Sequence, residues 1–273
     1  MKLDKSSVPS VLVIPVFNEA QRIDFEFFSA IKNINFDQII FVNDGSTDFS
    51  FQIINNFFVD DSRVEWIHNS SNLGKAESLR LGILKASVKS PVIVVITDAD
   101  GAISHVDITK IVTTTRHMID NSLSKIEVLL ISGARVNLAG WQIERNVVRQ
   151  WIGRIVATVV ALICKTSMYD TQSPLKTLYF SNASGRTILF ERFKTKWFYE
   201  AELVMRINNI GTMADNPLHS KIHEFPLTYF RDIPGGKLRI RSGFSVFRQL
   251  VKLYMVSRKQ RNLISSINKA IRT

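Results

Sequence analysis

Asp98 and Asp100 stand one residue apart where an apolar run ends, in "VIVVITDADG". Side chains at i and i+2 of an extended segment face the same side, roughly 6–7 Å apart. Two ionised carboxylates that close repel each other unless a cation sits between or beside them. An all-oxygen donor set selects Mg²⁺ or Mn²⁺ over Zn²⁺, with water and substrate phosphates completing the shell. An isolated Asp-x-Asp is more often a solvated loop than a site. Here the pair ends an apolar strand, and that context reverses the preference.

Holding such a pair in place requires a rigid sheet. "SVLVIPV", "QIIFVND", "VEWIH", "PVIVVIT" and "EVLLISG" read as strands, rich in Val and Ile and almost without alternation. Strands apolar on both faces belong to a sheet covered by helices on each side. Segments 19–33, 46–59, 75–89 and 105–121 have helix-like spacing between them, so the first half predicts a mostly parallel α/β sheet. Ligands of such sheets bind beyond the carboxyl ends of the strands. "PVFNE", "NDGSTD", "NSSNLGK" and "DADG" all fall at those ends. No G-x-x-x-x-G-K-[ST] loop is present, and no G-x-G-x-x-G follows the first strand, which argues against a P-loop enzyme and a dinucleotide-binding dehydrogenase.

Further along, 142–165 reads as one long helix, with helices again at 182–193 and 197–209. "KIHEFPLTYF" reads as a late strand, "RDIPGGKLR" as a loop, and the chain from 242 onward as helix. In that last helix Phe244, Phe247, Val251 and Tyr254 recur at i, i+3, i+7 and i+10, with Leu250 and Leu253 beside them and Arg248 and Lys252 on other faces. Such a basic amphipathic helix suits a membrane surface or the protein's own core equally well. The run "IVATVVALIC" (155–164) is shorter than the ~20 residues that span a bilayer, so no transmembrane helix is expected. It suits a core helix or one lying on a membrane surface.

The chain of 273 residues is 45% hydrophobic and 22% charged, ordinary values for a globular protein with a sizeable core. A single cysteine, Cys164, excludes an internal disulfide and a cysteine-built zinc site and fits a reducing compartment. Polar residues and a proline near the N-terminus argue against a signal peptide. The net charge is +11, and from Arg231 onward eleven Lys/Arg face one acid, Asp232. That concentration suits an anionic membrane face, nucleic acid, or simply a solvated helix. Two domains are expected: a catalytic one at 1–230, and a basic loop with amphipathic helices at 231–273, on the membrane or acceptor side.

"VIPVFNEAQRI", "VNDGSTD", "NLGKAESLRLGILKA", "TDADGA", "SGAR", "RNVVRQWIGR", "YDTQSPLK", "WFYEAEL" and "EFPLTYFRDIPGGKL" follow one another as in inverting family 2 glycosyltransferases of the GT-A fold. Within that group the chain resembles the polyprenyl-phosphate sugar transferases, especially dolichyl-phosphate β-glucosyltransferases, over about 11–254. The resemblance implies a Rossmann-like nucleotide-sugar-binding mixed sheet with a basic amphipathic helical extension. Pro15, Val16, Glu19 and Asp44 would line the nucleoside pocket, with Asp44 accepting from the base. The alternative for Asp44 is a turn aspartate, since "NDGS" is itself a good turn. Gly74 and Lys75 would border the nucleotide, and Asp98 and Asp100 would bind the metal and the sugar nucleotide.

For the acceptor phosphate the resemblance implies Arg135 and Arg149, whose guanidinium groups can grip a phosphate through paired hydrogen bonds. Arg154 follows Arg149 by five residues, near one side of a helix that runs on into the apolar segment; surface arginines on a core helix are the alternative. Asp170 and Glu202 are the remaining carboxylates expected near the site, Asp170 as first candidate for a base or else as a cap. Lys237 matches a position in a mobile loop that closes over the diphosphate. Three departures stand out: Ser173-Pro174-Leu175 for Cys-Gly-Phe, Tyr199-Glu200 for Phe-Asp, and Asn43 for the first Asp of D-D-G-S. They bear on the acceptor and the sugar, not on the metal aspartates.

The expectation is a Mg²⁺- or Mn²⁺-dependent inverting transfer of a hexose, glucose from UDP-glucose in preference to a GDP-hexose, onto a polyprenyl phosphate. It would occur peripherally at the cytoplasmic face of a membrane, with no nucleic-acid partner. The nearest alternative keeps the fold and takes a saccharide or lipid-linked glycan acceptor, as in cell-surface polysaccharide assembly. A silent nucleotide-sugar binder is the third.

Overall fold

The computed structural model of the chain describes residues 8–122, 126–144, 147–210, 220–233 and 243–272. The N-terminal half winds as expected: β1 (Ser10–Val16), α1 (Phe25–Lys32), β2 (Gln38–Asn43), α2 (Ser50–Phe57), β3 (Val64–His68), α3 (Lys75–Ala86), β4 (Val92–Ile96), α4 (His105–Asp120) and β5 (Val128–Ala134). Then follow β6 (Gln142–Glu144), α5 (Val147–Cys164), β7 (Lys176–Phe180), α6 (Tyr199–Ile210), β8 (Ser220–Pro226), β9 (Tyr229–Arg231) and α7 (Gly243–Arg272). The main sheet has seven strands in the order β3-β2-β1-β4-β7-β5-β8. β1 pairs parallel with β2 and β4, β2 with β3, and β5 with β8. Only β7 runs against its neighbours β4 and β5.

The missing alternation has the cause the sequence suggested. Leu12 and Ile14 of β1 pack under α1, α2 and α4, while Val11 and Val13 pack under α3 and α6. Both faces are dry, so the strand is apolar from Val11 to Val16. α3 lies so close to β1 that a Cβ on Gly82 would meet Val13 at 2.5 Å. A third cluster joins α5, α6 and α7 through Val160, Cys164, Ala201, Met205 and Leu253. α6 thus has two apolar faces, one on the sheet and one under α5 and α7, and α7 shares a core with α5 and α6.

Three readings of the sequence shift. The helix expected from residue 19 starts at Phe25, because Asp24 caps it by accepting from the Phe27 N–H at 2.9 Å. Residues 19–22 instead close a turn, Arg22 N donating to the Glu19 carbonyl at 2.7 Å. At 142–144 the chain is a strand paired with β9, not the start of α5. Between 183 and 189 it forms a 3₁₀ helix. Ser104 caps α4, accepting from Asp107 N, and Asp107 in turn accepts from Thr228 N, Thr228 Oγ1 and Tyr229 N, tying that helix to the β8–β9 turn.

Candidate active site

The carboxyl ends of β1, β2, β3, β4 and β5 lie along one edge of the sheet, as parallel pairing requires. Because β7 runs the other way, its amino end reaches the same edge. Lys176 pairs in register with Ile96 on one side and Ser132 on the other. This reversal brings 170–176 between the Asp98–Asp100 segment and Arg135.

At one end, the two aspartates are already matched to cations. Lys75, first residue of α3, reaches Asp98 at 2.6 Å. Arg22, in the turn after β1, reaches Asp100 at 2.5 Å and Glu19 at 2.9 Å. Burial raises the Asp100 pKa, the Asp98 charge raises it further, and Arg22 only partly opposes them. A cationic demand of that kind is what a divalent ion would meet. No group of three or more His, Cys, Asp or Glu side chains among the described residues could hold a metal. Asp98 and Asp100 fit an ion held by one or two carboxylates and completed by water and phosphate oxygens. Burial works against the Lys75 charge, but Asp98, Glu200 and Asp100 outweigh it and hold its pKa above the ordinary lysine value.

The nucleoside side is built from loops locked together. Asp44 accepts from Leu73 N and Gly74 N, each at 2.8 Å, and from Asn69 Nδ2 at 2.9 Å. Expected to face a base, it is nearly buried and anchors the β3–α3 loop. Gly45, at φ +68°, approaches that loop so closely that a Cβ would sit 2.7 Å from Ser71. Asn43 fills the place of an aspartate by closing the turn through Ser46 N at 2.9 Å. The Val16 side chain is in the core and its carbonyl accepts from Asp44 N. Val16 therefore has only backbone to offer a pocket. Pro15 is half-buried beside it, and Glu19 N donates to Ser50 Oγ at 2.6 Å. Gly74, at φ +93°, opens α3.

At the other end Arg135 and Asp170 form a bidentate pair, Nε to Oδ2 at 2.7 Å and Nη2 to Oδ1 at 2.9 Å. Arg135 also donates to the Gln172 carbonyl and lies over the Phe230 ring. Burial acts to raise the Asp170 pKa, yet the Arg135 charge and hydrogen bonds bring it down to about 2. The bidentate pairing fixes the Arg135 guanidinium in one orientation and keeps the Asp170 carboxylate ionised. Glu224 braces the segment, accepting from Tyr169 N and Asp170 N at 2.7 Å each. Arg154 stacks on Tyr169, 3.7 Å from the ring centroid, and donates to its carbonyl. The side chain of Arg149 and the whole of Lys237 lie outside the described residues.

Glu202 is placed otherwise than expected. It is buried and accepts from Lys194 N, Thr195 N, Thr195 Oγ1 and Arg206, holding the segment before α6. Helix positions i and i+2 are about 200° apart, so only one of Glu200 and Glu202 can face the cleft. It is Glu200. Its carboxylate lies 3.9 Å from the buried Lys176 ammonium, and its Oε2 has no hydrogen-bond partner among the described residues. Burial raises the Glu200 pKa against the pull of Lys176 and Lys75. Burial likewise lowers that of Lys176, with Lys75 and Arg135 adding to the effect. Tyr199 sits well above the usual phenol range, for burial and for its closeness to Glu200 and Asp98.

One continuous run of charges therefore crosses the edge: Arg22, Asp100, Asp98, Lys75, Glu200, Lys176, Asp170, Arg135. Arg22, Lys176 and Glu224 were within reach of sequence reasoning only as members of longer motifs. A lysine leading a buried strand, "KTLYF", was the one local signal.

Comparison with known proteins fits this architecture. Residues 11–127 match the pattern of glycosyl transferase family 2. A dolichyl-phosphate beta-glucosyltransferase of Trichomonas vaginalis is 22% identical over 93% of this chain and 76% of its own length. Among solved structures, S. aureus TarS 1–349 superposes with a TM-score of 0.54 at 16% identity, covering 92% of this chain and 65% of that one. Glucosyl-3-phosphoglycerate synthase from Mycobacterium tuberculosis, in complex with Mn²⁺, UDP-glucose and glycerol 3-phosphate, gives 0.54 at 15% identity, covering 92% and 80%. The chain thus spans less than two thirds of the TarS fragment. Residues 11–127 carry a glycosyl transferase family 2 domain, and the chain has the GT-A fold of these structures.

Proposed function

We propose that the protein transfers a hexose, glucose from UDP-glucose, onto a polyprenyl phosphate of the dolichyl type, with inversion at C1 and at the cytoplasmic face of a membrane. The run of charges along the sheet edge carries this reading. It offers carboxylates for a metal–diphosphate at one end and a pre-oriented guanidinium for a second phosphate at the other. Asp98 and Asp100 would hold Mg²⁺ or Mn²⁺, which when bound supplies positive charge to the departing diphosphate. Lys75, held beside Asp98 at 2.6 Å, would add its positive charge to the same diphosphate. Arg135, oriented by Asp170, and Arg154 meet the acceptor phosphate. An ionised phosphate oxygen is already nucleophilic, so alignment and charge stabilisation do the catalytic work without a strong base. The firmly ionised Asp170 accords with that.

Glu200 favours a second reading. A buried carboxylate with a raised pKa and an unpartnered oxygen could take the proton of a saccharide hydroxyl. Incubating the enzyme with labelled UDP- and GDP-sugars, Mg²⁺ or Mn²⁺, and a short polyprenyl phosphate separates the two. Label in the organic phase from UDP-glucose, persisting in Glu200→Gln, is the expected result. Metal-dependent donor binding with no lipid product would overturn the proposal.

A further inference from the structure

The third apolar cluster uses only one face of each outer helix. On α5, Val156, Val160, Ile163 and Cys164 face α6 and α7. Trp151, Ile155, Thr158, Val159 and Leu162, at i, i+4, i+7, i+8 and i+11, form a second stripe turned outward. Trp151 is 69% exposed, Ile155 65% and Leu162 73%. α7 repeats the arrangement. Leu253 is buried and Val246, Leu250 and Val256 pack beside it, while Phe247, Val251, Tyr254 and Met255 form an outward stripe, Phe247 at 62% and Met255 at 64%. Exposed Arg248, Lys252, Arg258 and Lys259 accompany that stripe. Both helices cover the face of α6 that looks away from the sheet, so the two stripes belong to the outermost layer on one side of the molecule.

A water-facing helix gains nothing from a second apolar stripe, and scattered single exposures do not line up at helical period. We propose that the outward faces of α5 and α7 form one docking surface for an anionic lipid bilayer. The helices would lie in the headgroup plane, with aromatic and aliphatic side chains inserted and the basic side chains at the phosphates. Charge selects this occupant: the stretch from Arg231 carries eleven Lys/Arg against one acid, which would repel a second copy of the same face. No described helix is long and apolar enough to cross a membrane, so attachment through these residues would be interfacial. The surface adjoins the acceptor end of the site, since Arg154 of α5 stacks on Tyr169, next to Asp170. In that respect the inference deepens the lipid-phosphate reading and rests on it.

The test is flotation of the full chain with vesicles of phosphatidylcholine, alone or with about one third phosphatidylserine. It needs neither donor nor acceptor, so it stands or falls apart from the transferase reading. Two variants are compared, Ile155→Glu with Leu162→Glu, and Phe247→Glu with Met255→Glu. Thermal melting checks their fold, and the substituted side chains are outward, so melting should be unchanged. The expected result is binding to the anionic vesicles only, weakened at least ~10-fold in each variant and lost at high salt. Equal binding by the parent and both variants would overturn the proposal. So would a parent chain that ignores vesicles, or one that sediments as a dimer which the variants dissociate, since the stripe then meets another copy. Transfer to a water-soluble short-chain acceptor by a chain that ignores vesicles would sink the surface and leave the reaction standing.

Discussion

At the residue scale the site is a set of matched charges, and removing one member leaves another unmatched. Asp100→Ala should lower kcat at least ~100-fold while leaving the melting temperature nearly unchanged, measured by donor hydrolysis or transfer with Mn²⁺. Near-normal turnover would remove the metal role from Asp98 and Asp100. The Arg135–Asp170 pair acts on stability as well. Asp170 has a folded pKa of about 2 against an ordinary 3.8. Its ionised form is therefore favoured by folding, and the contribution is present above pH 4 and fades as pH falls toward 2. The difference corresponds to about 2 kcal/mol. Asp170→Asn should lose it, flatten that part of the acid-stability curve and leave Arg135 buried without its partner. An unchanged acid unfolding profile would show the pair to be inert. Glu200→Gln removes a charge that helps hold Lys75 and Lys176 protonated, so the Lys176 pKa should fall further, readable by NMR titration of labelled lysines.

At the scale of elements, two contacts set where the site residues stand. α3 carries Lys75 and sits against β1 through Gly82, where an added methyl has no room beside Val13. Gly82→Ala should destabilise the protein by about 1–3 kcal/mol and, by pushing α3 outward, weaken donor binding as well. Denaturant unfolding reads the first effect and calorimetric titration of UDP the second. α1 starts late because Asp24 caps it, and that late start leaves Glu19 and Arg22 in a turn facing Asp100. Asp24→Ala should cost about 1 kcal/mol and loosen Arg22 from Asp100. Helical spacing alone extends the helix back to residue 19, since periodicity carries no information about where capping stops it. The same blindness merges Gln142–Glu144 with α5, because a three-residue strand exists only through its pairing with Tyr229–Arg231.

Over the whole molecule, local sequence determined the class of fold, the strand edges and the placing of Asp98 and Asp100 at one of them. Strands buried on both faces are apolar along most of their length, and polar motifs at the carboxyl ends of parallel strands converge on one edge. Five strands in the first half fall where composition places them because β-branched runs bounded by turn residues are a local signal. Tertiary structure decided the rest. It reversed β7, and so put Lys176 and Asp170 between Asp98 and Arg135, through pairing with strands 80–88 and 44–52 residues away in the chain. It chose Glu200 over Glu202, because two glutamates on opposite sides of a helix are distinguished only by what packs on each side. It paired Asp170, the candidate base of the sequence, with the Arg135 guanidinium. It also left one face of α5 and α7 without a protein partner among the described residues, although in sequence that face reads the same as a core stripe. Period and composition record that a side chain prefers an apolar surface, and only the packed chain shows whether the protein supplies one.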